Sequence, residues 1–313
     1  MAHIGFPLGQ DMTAKIIDGV AVARRIRDEC QERVKRIVAQ SGTPPGLAVI
    51  LVGSDAASQI YVKNKIRACA NVGIRSFRFD YPPDVNQDVV VDKIEQLNED
   101  PAVHGILVQL PLPPSFDMAR ILHAISADKD VDGFHLYNVG GLVAGGTVFP
   151  PCTPYGVLKL LEHEQIPLEG KNVVVVGASN IVGKPMALML MQHEATVCIC
   201  HAKTKDLAQF TILADILVVA AGHPNLILAQ MVRTGTVVID VGINRLKDGT
   251  LVGDVDFAGV AAKASHITPV PGGVGPMTVS MLLVNTITSC ERWQHQIYTP
   301  GWQKFSPLRI AKQ

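Results

Sequence analysis

Two runs rich in aliphatic residues constrain this chain most: Gly46-Leu-Ala-Val-Ile-Leu-Val52 and Lys171-Asn-Val-Val-Val-Val-Gly177. Each suits one strand buried on both faces, and each is followed by residues at helical spacing. The first run opens an alternation: a helix over 56–72 ending near Gly73, a strand over 75–80, a helix over 87–98 and a strand over 104–109. An amphipathic helix over 19–40, with Val20, Val22, Ile26, Val34 and Ile37 near helical spacing, precedes it. The second run restarts the pattern with a helix over 183–193 and a strand over 195–200, then Ala214 to Ala220 and Thr236 to Val241 as further strands. Such alternation gives parallel sheets with helices on their faces. The expected class is therefore α/β, in two domains. Between the sheets the Pro- and Gly-rich passage from Gly140 to Thr153 is expected to hold the hinge, followed by a helix over 154–164. After Pro276 a last helix is expected to run back onto the first domain, and Trp293 to Gln313 read as a tail.

With 313 residues, 48% of them hydrophobic, the chain can bury two ordinary cores. The 28 basic residues balance the 28 acidic ones and form no block, which argues against nucleic acid or an anionic membrane as partner. A small-molecule substrate is the expectation. No apolar run reaches membrane-spanning length and Met1 to Thr13 lacks the features of a secretory signal, so the expected location is cytoplasmic. The six cysteines are scattered without a C-x-x-C. They read as buried thiols, Cys198 and Cys200 on one strand among them, and no metal is expected.

Val173 to Pro185 combines a strand, a tight turn and a helix start, which lets backbone N–H groups meet a pyrophosphate. The spacing departs from G-x-G-x-x-G: Ser179 replaces the middle glycine and one residue is added before Gly183. An ordinary β-α turn is the alternative, and the surrounding repeat favours the dinucleotide site. The next strand ends in Cys198-Ile-Cys-His-Ala-Lys-Thr-Lys205, without the carboxylate that usually holds a ribose 2′-hydroxyl. Two lysines there favour NADP, against the plainer reading of Lys203 and Lys205 as solvated loop charges.

Tyr61 and Lys65 share a helix face. Short-chain dehydrogenases also carry Tyr-x-x-x-Lys, but after their nucleotide-binding glycines; here the pair comes well before them. A lysine near developing charge serves as proton donor, while an exposed helix lysine beside a half-buried tyrosine is the commonplace alternative. Gln109 ends an otherwise apolar strand at the carboxyl end, where open α/β sheets place ligands. Asp128, Asp130 and Asp132 read either as a hard-cation loop or, more simply, as turn-forming residues. Thr268 to Thr278 is dense in Pro and Gly, which prescribes a loop of fixed, unusual backbone angles lining a pocket.

These runs resemble the bifunctional methylenetetrahydrofolate dehydrogenase/methenyltetrahydrofolate cyclohydrolase family from about Ala14 to Cys290. The likeness rests on Tyr-Val-x-x-Lys (61–65), Val-Gln-Leu-Pro-Leu-Pro (108–113), Asp-Lys-Asp-Val-Asp-Gly-Phe (128–134), Pro-Cys-Thr-Pro (151–154), Gly-Ala-Ser-Asn-Ile-Val-Gly (177–183), Asp-Val-Gly-Ile-Asn (240–244) and the Pro-Gly loop. The resemblance implies oxidation of 5,10-methylenetetrahydrofolate by NADP, then hydrolysis of the methenyl cation to 10-formyltetrahydrofolate. It implies a catalytic, folate-binding domain over 1–153, a Rossmann-type NADP domain over 154–276, and a segment over 277–313 whose helix returns to the catalytic domain. Folate would occupy a cleft between the domains, and the protein would be a homodimer joined through its dinucleotide domains.

Carried over residue by residue, the resemblance makes Lys65 the catalytic lysine, Gln109 its partner, Tyr61 the residue packing the pterin and Asp132 the carboxylate on the pterin edge. Val108, Leu110 and the loop Pro271, Gly272, Gly273, Val274, Gly275, Pro276, Met277 and Thr278 would complete the folate site. Cofactor contacts would come from Gly177, Ala178, Ser179, Ile181, Val182 and Gly183, then His201, Ala202, Lys203, Thr204 and Ile243. Several relatives carry arginine and serine where Ala178 and Ala202 stand, which leaves Lys203 or the backbone to hold the 2′-phosphate. Leu136 stands where many relatives have proline. An ordinary two-domain dehydrogenase would need a cationic clamp for a carboxylate, and a non-catalytic binder would be expected to lack Lys65, Gln109 or Asp132.

Overall fold

The computed structural model describes residues 14–295. The first elements in chain order are β1 (Lys15–Ile16), α1 (Gly19–Ser41), β2 (Gly46–Val52), α2 (Ala56–Val72), β3 (Arg75–Tyr81), α3 (Gln87–Glu99), β4 (Gly105–Val108) and α4 (Met118–Ala124). Next come α5 (Leu136–Ala144), α6 (Cys152–His163), β5 (Asn172–Val176), α7 (Gly183–Met191), β6 (Thr196–Cys200), α8 (Ala208–Thr211) and β7 (Ile216–Val219). The described chain ends with β8 (Val237–Asp240), β9 (Asn244–Arg245), β10 (Leu251–Val252), α9 (Phe257–Ala261), β11 (His266–Ile267) and α10 (Val274–Gln294). Among the described residues, no helix is long and apolar enough to cross a membrane.

Among the described residues, contacts group these elements into two compact units, one holding residues 29–136 and 283–295, the other 137–282 and 14–28. The sequence reading drew its first domain to Thr153. Contacts instead group residues 14–28 and 137–153 with the larger sheet, where β1 pairs in parallel with β11 and the Gln192 side chain donates to the Leu142 carbonyl.

The smaller unit is built on a parallel sheet in the order β3-β2-β4. All seven residues of β2 are buried, as expected of a central strand covered on both faces. Ile50, Ile94 and Ile106 are wholly buried in its core, each contributing roughly 2–3 kcal/mol by leaving water. Helix α2 starts where Asp55 accepts the Ser58 N–H at 2.7 Å and stops where Gly73, at φ 88°, turns left-handed.

The larger unit holds a six-stranded sheet in the order β1-β11-β8-β7-β5-β6, parallel throughout. From β5 the chain steps to β6 on one side, then crosses to β7 on the other. That reversal leaves a crevice at the carboxyl ends of the strands, where such sheets bind ligands.

The structure departs from the sequence reading at identifiable places. Val20 lies off the buried stripe of α1, which is carried by Val22, Ala23, Ile26, Cys30, Val34 and Ile37. Gly140 to Ala144, at the start of the passage expected to hold the hinge, is helical, with Leu142 and Asn138 buried and Asn138 tied to Thr147 through its carbonyl. The last helix begins at Val274, so only the first part of the Pro-Gly run is loop. The β9–β10 hairpin was not anticipated, although Asp248-Gly249 signals its turn: Asp248 accepts the Thr250 N–H at 2.9 Å and Gly249 has φ 89°. Cys198 is half-buried, while the other cysteines are buried.

Candidate active site and cofactor cavity

In the smaller unit α2 aims Lys65 at the carboxyl end of β4. Lys65 is 9% exposed, and its Nζ donates to Gln109 Oε1 at 3.1 Å. The Gln109 amide is oriented in turn by its Nε2, which donates to the Leu110 carbonyl at 2.6 Å. With its oxygen committed to the ammonium, the amide acts as a fixed acceptor, and the remaining lysine protons stay available. Tyr61 sits one turn earlier on α2, 38% exposed. Val108 is buried and Leu110 half-buried on either side of Gln109.

The three aspartates of 128–132 have separate surroundings. Asp128 faces Arg292 at 3.7 Å. Buried Asp130 accepts the N–H groups of Gly133 and His135 at 3.2 and 2.7 Å, closing a turn. Half-buried Asp132 lies two residues beyond the parallel bridge between Asp130 and Ile106, in the direction in which β4 reaches Gln109. Sequence reasoning missed what steadies this segment. Asn285 of α10 donates to the Val131 carbonyl at 2.8 Å, and Ser289 donates to the carbonyls of Asp128 and His104. Two polar residues four apart within an apolar helical register were the available signal.

In the larger unit the turn after β5 is shaped by two glycines. Gly177 has φ 121°, and a Cβ on it would overlap the Ala220 carbonyl; a Cβ on Gly183 would overlap the Gly177 carbonyl. Ser179 replaces the expected glycine because its Oγ accepts the N–H groups of Val182 and Gly183, at 3.1 and 3.3 Å. The turn borders a cavity of about 540 Å³. Of the residues expected to touch the cofactor, Gly177, Ala178, Ser179, His201, Ala202 and Thr204 line it. Ile181, Val182, Gly183, Lys203 and Ile243 are outside that lining. Ile243 is exposed, with its Cδ1 beside Gly275 at the start of α10.

Ala220, Ala221 and His223, from the loop after β7, line the cavity too and were not foreseen. Their position at the end of a strand flanking the switch point was the signal. His201 to Thr204 forms a closed turn: the His201 N–H donates to Thr204 Oγ1 at 2.9 Å and the Lys203 N–H to His201 Nδ1 at 3.1 Å. The nearest following carboxylate, Asp206, is engaged by Gln209 Nε2 at 2.7 Å. A glycine-shaped turn, a crevice and a strand end without a free carboxylate fit a phosphorylated dinucleotide.

The Pro-Gly run is grouped with the larger sheet. Gly272 has φ 112°, a conformation that favours glycine, and Gly273 has no room for a Cβ beside Thr268 and the Pro269 carbonyl. Pro271 is exposed, Val274 and Met277 are buried, and Gly275 and Pro276 are half-buried at the helix start. Thr278 meets Thr153, hydroxyl to hydroxyl, at 3.0 Å.

Residues 17–132 match the tetrahydrofolate dehydrogenase/cyclohydrolase catalytic domain, and residues 151–294 match the NAD(P)-binding domain of the same family. The chain belongs to the tetrahydrofolate dehydrogenase/cyclohydrolase family. The bifunctional protein FolD of Nitrosospira multiformis is 58% identical over 281 residues, 90% of this chain and 97% of its own length. A bifunctional FolD structure from Campylobacter jejuni matches with a TM-score of 0.88 at 51% identity, over 90% of this chain and 99% of that one. A Trypanosoma brucei FolD, complexed with NADP cofactor and inhibitor, matches with a TM-score of 0.87 at 41% identity, over 90% and 98%. Like these tetrahydrofolate dehydrogenase/cyclohydrolases, the chain is a bifunctional enzyme of folate one-carbon metabolism.

Proposed function

We propose that the chain oxidises 5,10-methylenetetrahydrofolate with NADP and hydrolyses the methenyl product, with Lys65 handling protons in the second step. The observation that carries the assignment is the buried Lys65–Gln109 hydrogen bond at the end of β4. When bound, NADP supplies the hydride acceptor for the methylene carbon. That step asks the protein mainly for geometry, since the folate nitrogens stabilise the cation. Tyr61, one turn from Lys65, packs against the pterin, and Asp132 accepts hydrogen bonds from its edge. Val108 and Leu110, on either side of Gln109, complete the folate site within this unit.

Water then adds to the methenyl carbon and loses a proton, and a carbon–nitrogen bond breaks as the departing nitrogen gains one. Lys65 Nζ, held by Gln109, delivers that proton and recovers one from the added water. General acid–base groups contribute about 10²–10⁴-fold. Lys65→Met should therefore cut 10-formyltetrahydrofolate production by at least about 100-fold while leaving partial dehydrogenase activity. Unchanged formyl production in that variant, followed by absorbance, removes Lys65 from the mechanism.

The larger-unit cavity is assigned to NADP. Gly177, Ala178, Ser179, Ile181, Val182 and Gly183 approach the pyrophosphate, and Ile243 the nicotinamide side. His201, Ala202, Lys203 and Thr204 surround the 2′-phosphate. His201, accepting at Nδ1, presents Nε2–H as a donor. The NADP-bound T. brucei relative supports this choice. The working form is a homodimer joined at the β6 edge of the larger sheet. Support comes from the exposed apolar Ile199 on that edge strand and Met191 at the end of the helix leading into it.

A further inference from the structure

We propose that Asp254 is a positioning residue for the cofactor: its carboxylate fixes the loop after β7 as one wall of the cavity. The inference rests on the reading of that cavity as the NADP site. Ala221, Gly222 and His223 have little of their own to define a conformation, with two small residues and one imidazole among them and φ 67° at Gly222. Yet Ala221 and His223 line the cavity, together with the Gly177 turn.

Three successive backbone N–H groups of this loop converge on one side chain. Ala221 and Gly222 donate to Asp254 Oδ2 at 2.7 and 2.9 Å, and His223 donates to Oδ1 at 2.9 Å. Oδ1 also accepts from Asn244 Nδ2 at 2.8 Å, so the same carboxylate holds the residue after Ile243. Asp254 is itself wholly buried. An ionised carboxylate is the side chain best able to satisfy so many donors at once, and hydrogen bonds to it are stronger than those between neutral groups.

Asp254 is fixed from below by a second carboxylate. Asp240 accepts the N–H groups of Asp254, Val255 and Gly242, at 3.0, 3.0 and 2.9 Å. Two glycines leave the space these groups need: a Cβ on Gly253 would overlap Asp240, and one on Gly242 would overlap Asp254. All of these bonds are made between the protein's own groups, so the post needs no cofactor to complete it. The loop meets the cofactor already ordered, which lowers the entropic cost of binding.

The test uses Asp254→Asn in the full-length enzyme. An amide offers one acceptor oxygen and turns its own N–H groups toward the loop donors, so at least one loop amide loses its partner. NADP binding by titration calorimetry should weaken by about tenfold or more, and KM for NADP should rise with it. Cyclohydrolase turnover of methenyltetrahydrofolate, which consumes no cofactor, should change by less than about twofold. Unchanged NADP affinity overturns the proposal, as does an equal loss of both activities in a variant that still folds, which would mark a general structural role. Where the variant does not fold, amide exchange in the wild-type enzyme decides. The amides of residues 221–223 should be protected without NADP, and protection appearing only on its addition overturns the proposal. Failure of the NADP reading itself would show separately, as a wild-type enzyme that does not bind NADP.

Discussion

At the scale of single residues, His201 bears most directly on cofactor choice. It stands just past β6, where an NAD-binding sheet usually offers a carboxylate to the ribose. The Lys203 N–H donates to its Nδ1, so in the proposed site a donor rather than an acceptor would face the ribose substituent. His201→Asp should reverse this: affinity for 2′,5′-ADP should fall at least tenfold relative to 5′-ADP, and the NADP-to-NAD ratio of kcat/KM should fall with it. Both ratios unchanged would place the 2′-phosphate elsewhere. Much of the site was legible at this scale because glycines, prolines and a lysine at a strand end have few roles. Ser179 was legible as a departure but not in its purpose, since its bonds to Val182 and Gly183 depend on how the turn closes. Asp254 carried no local signal at all. Its partners at 221–223 are brought to it only by the pairing of distant strands.

At the scale of elements, strand and helix identities followed closely from apolar runs and their spacing, because parallel strands buried on both faces leave a strong pattern. Where tertiary contacts overrode composition the sequence was opaque, as in α5, a helix containing Gly140 and Gly141 and secured by buried Leu142 and Asn138. The junction of α3, β4 and α10 was equally hidden. Lys129, 1% exposed, donates to the carbonyls of Leu97, in the last turn of α3, and Asp100, just past it, at 3.0 and 2.8 Å, and its Nζ lies 5.1 Å from the Trp293 ring centre. Burial lowers its pKa to about 8.

Next to β4, His104 Nδ1 accepts the Gly46 N–H at 3.0 Å, and burial, reinforced by the Lys129 charge, lowers the histidine to about 4. A depressed histidine binds its proton more weakly in the folded state than in the unfolded chain. The stability it contributes is present above about pH 6.5 and lost as pH falls toward 4, on the order of 3 kcal/mol over the window. Buried Asp240, raised to about 6 in the other unit, acts in the opposite sense, favouring the fold at low pH and losing that contribution as pH rises through 6. Exchange protection of β2 and β4 amides should therefore fall between pH 6.5 and 4.5, and fall less steeply in His104→Gln. Identical slopes in the two proteins would remove His104 as the cause.

At the scale of the whole molecule, the six-stranded sheet leaves β6 as one edge, and such an edge offers unpaired backbone groups to another chain. Natural proteins commonly blunt exposed edges with charge, whereas Thr196-Val-Cys-Ile-Cys200 carries none. Ile199 is 40% exposed on it, with Met191 more exposed still at the end of the preceding helix. Pairing of two β6 edges in a dimer would satisfy the backbone groups and cover this apolar surface. Ile199→Glu adds like charges near the two-fold axis of such a pair without disturbing a buried side chain. Sedimentation velocity at micromolar concentration should then give a dimer for the wild type and a monomer for the variant, with both retaining NADP binding in the cavity on the carboxyl side of the sheet. A monomeric wild type at those concentrations would remove the edge-paired dimer. A variant that stays dimeric would move the contact to another face.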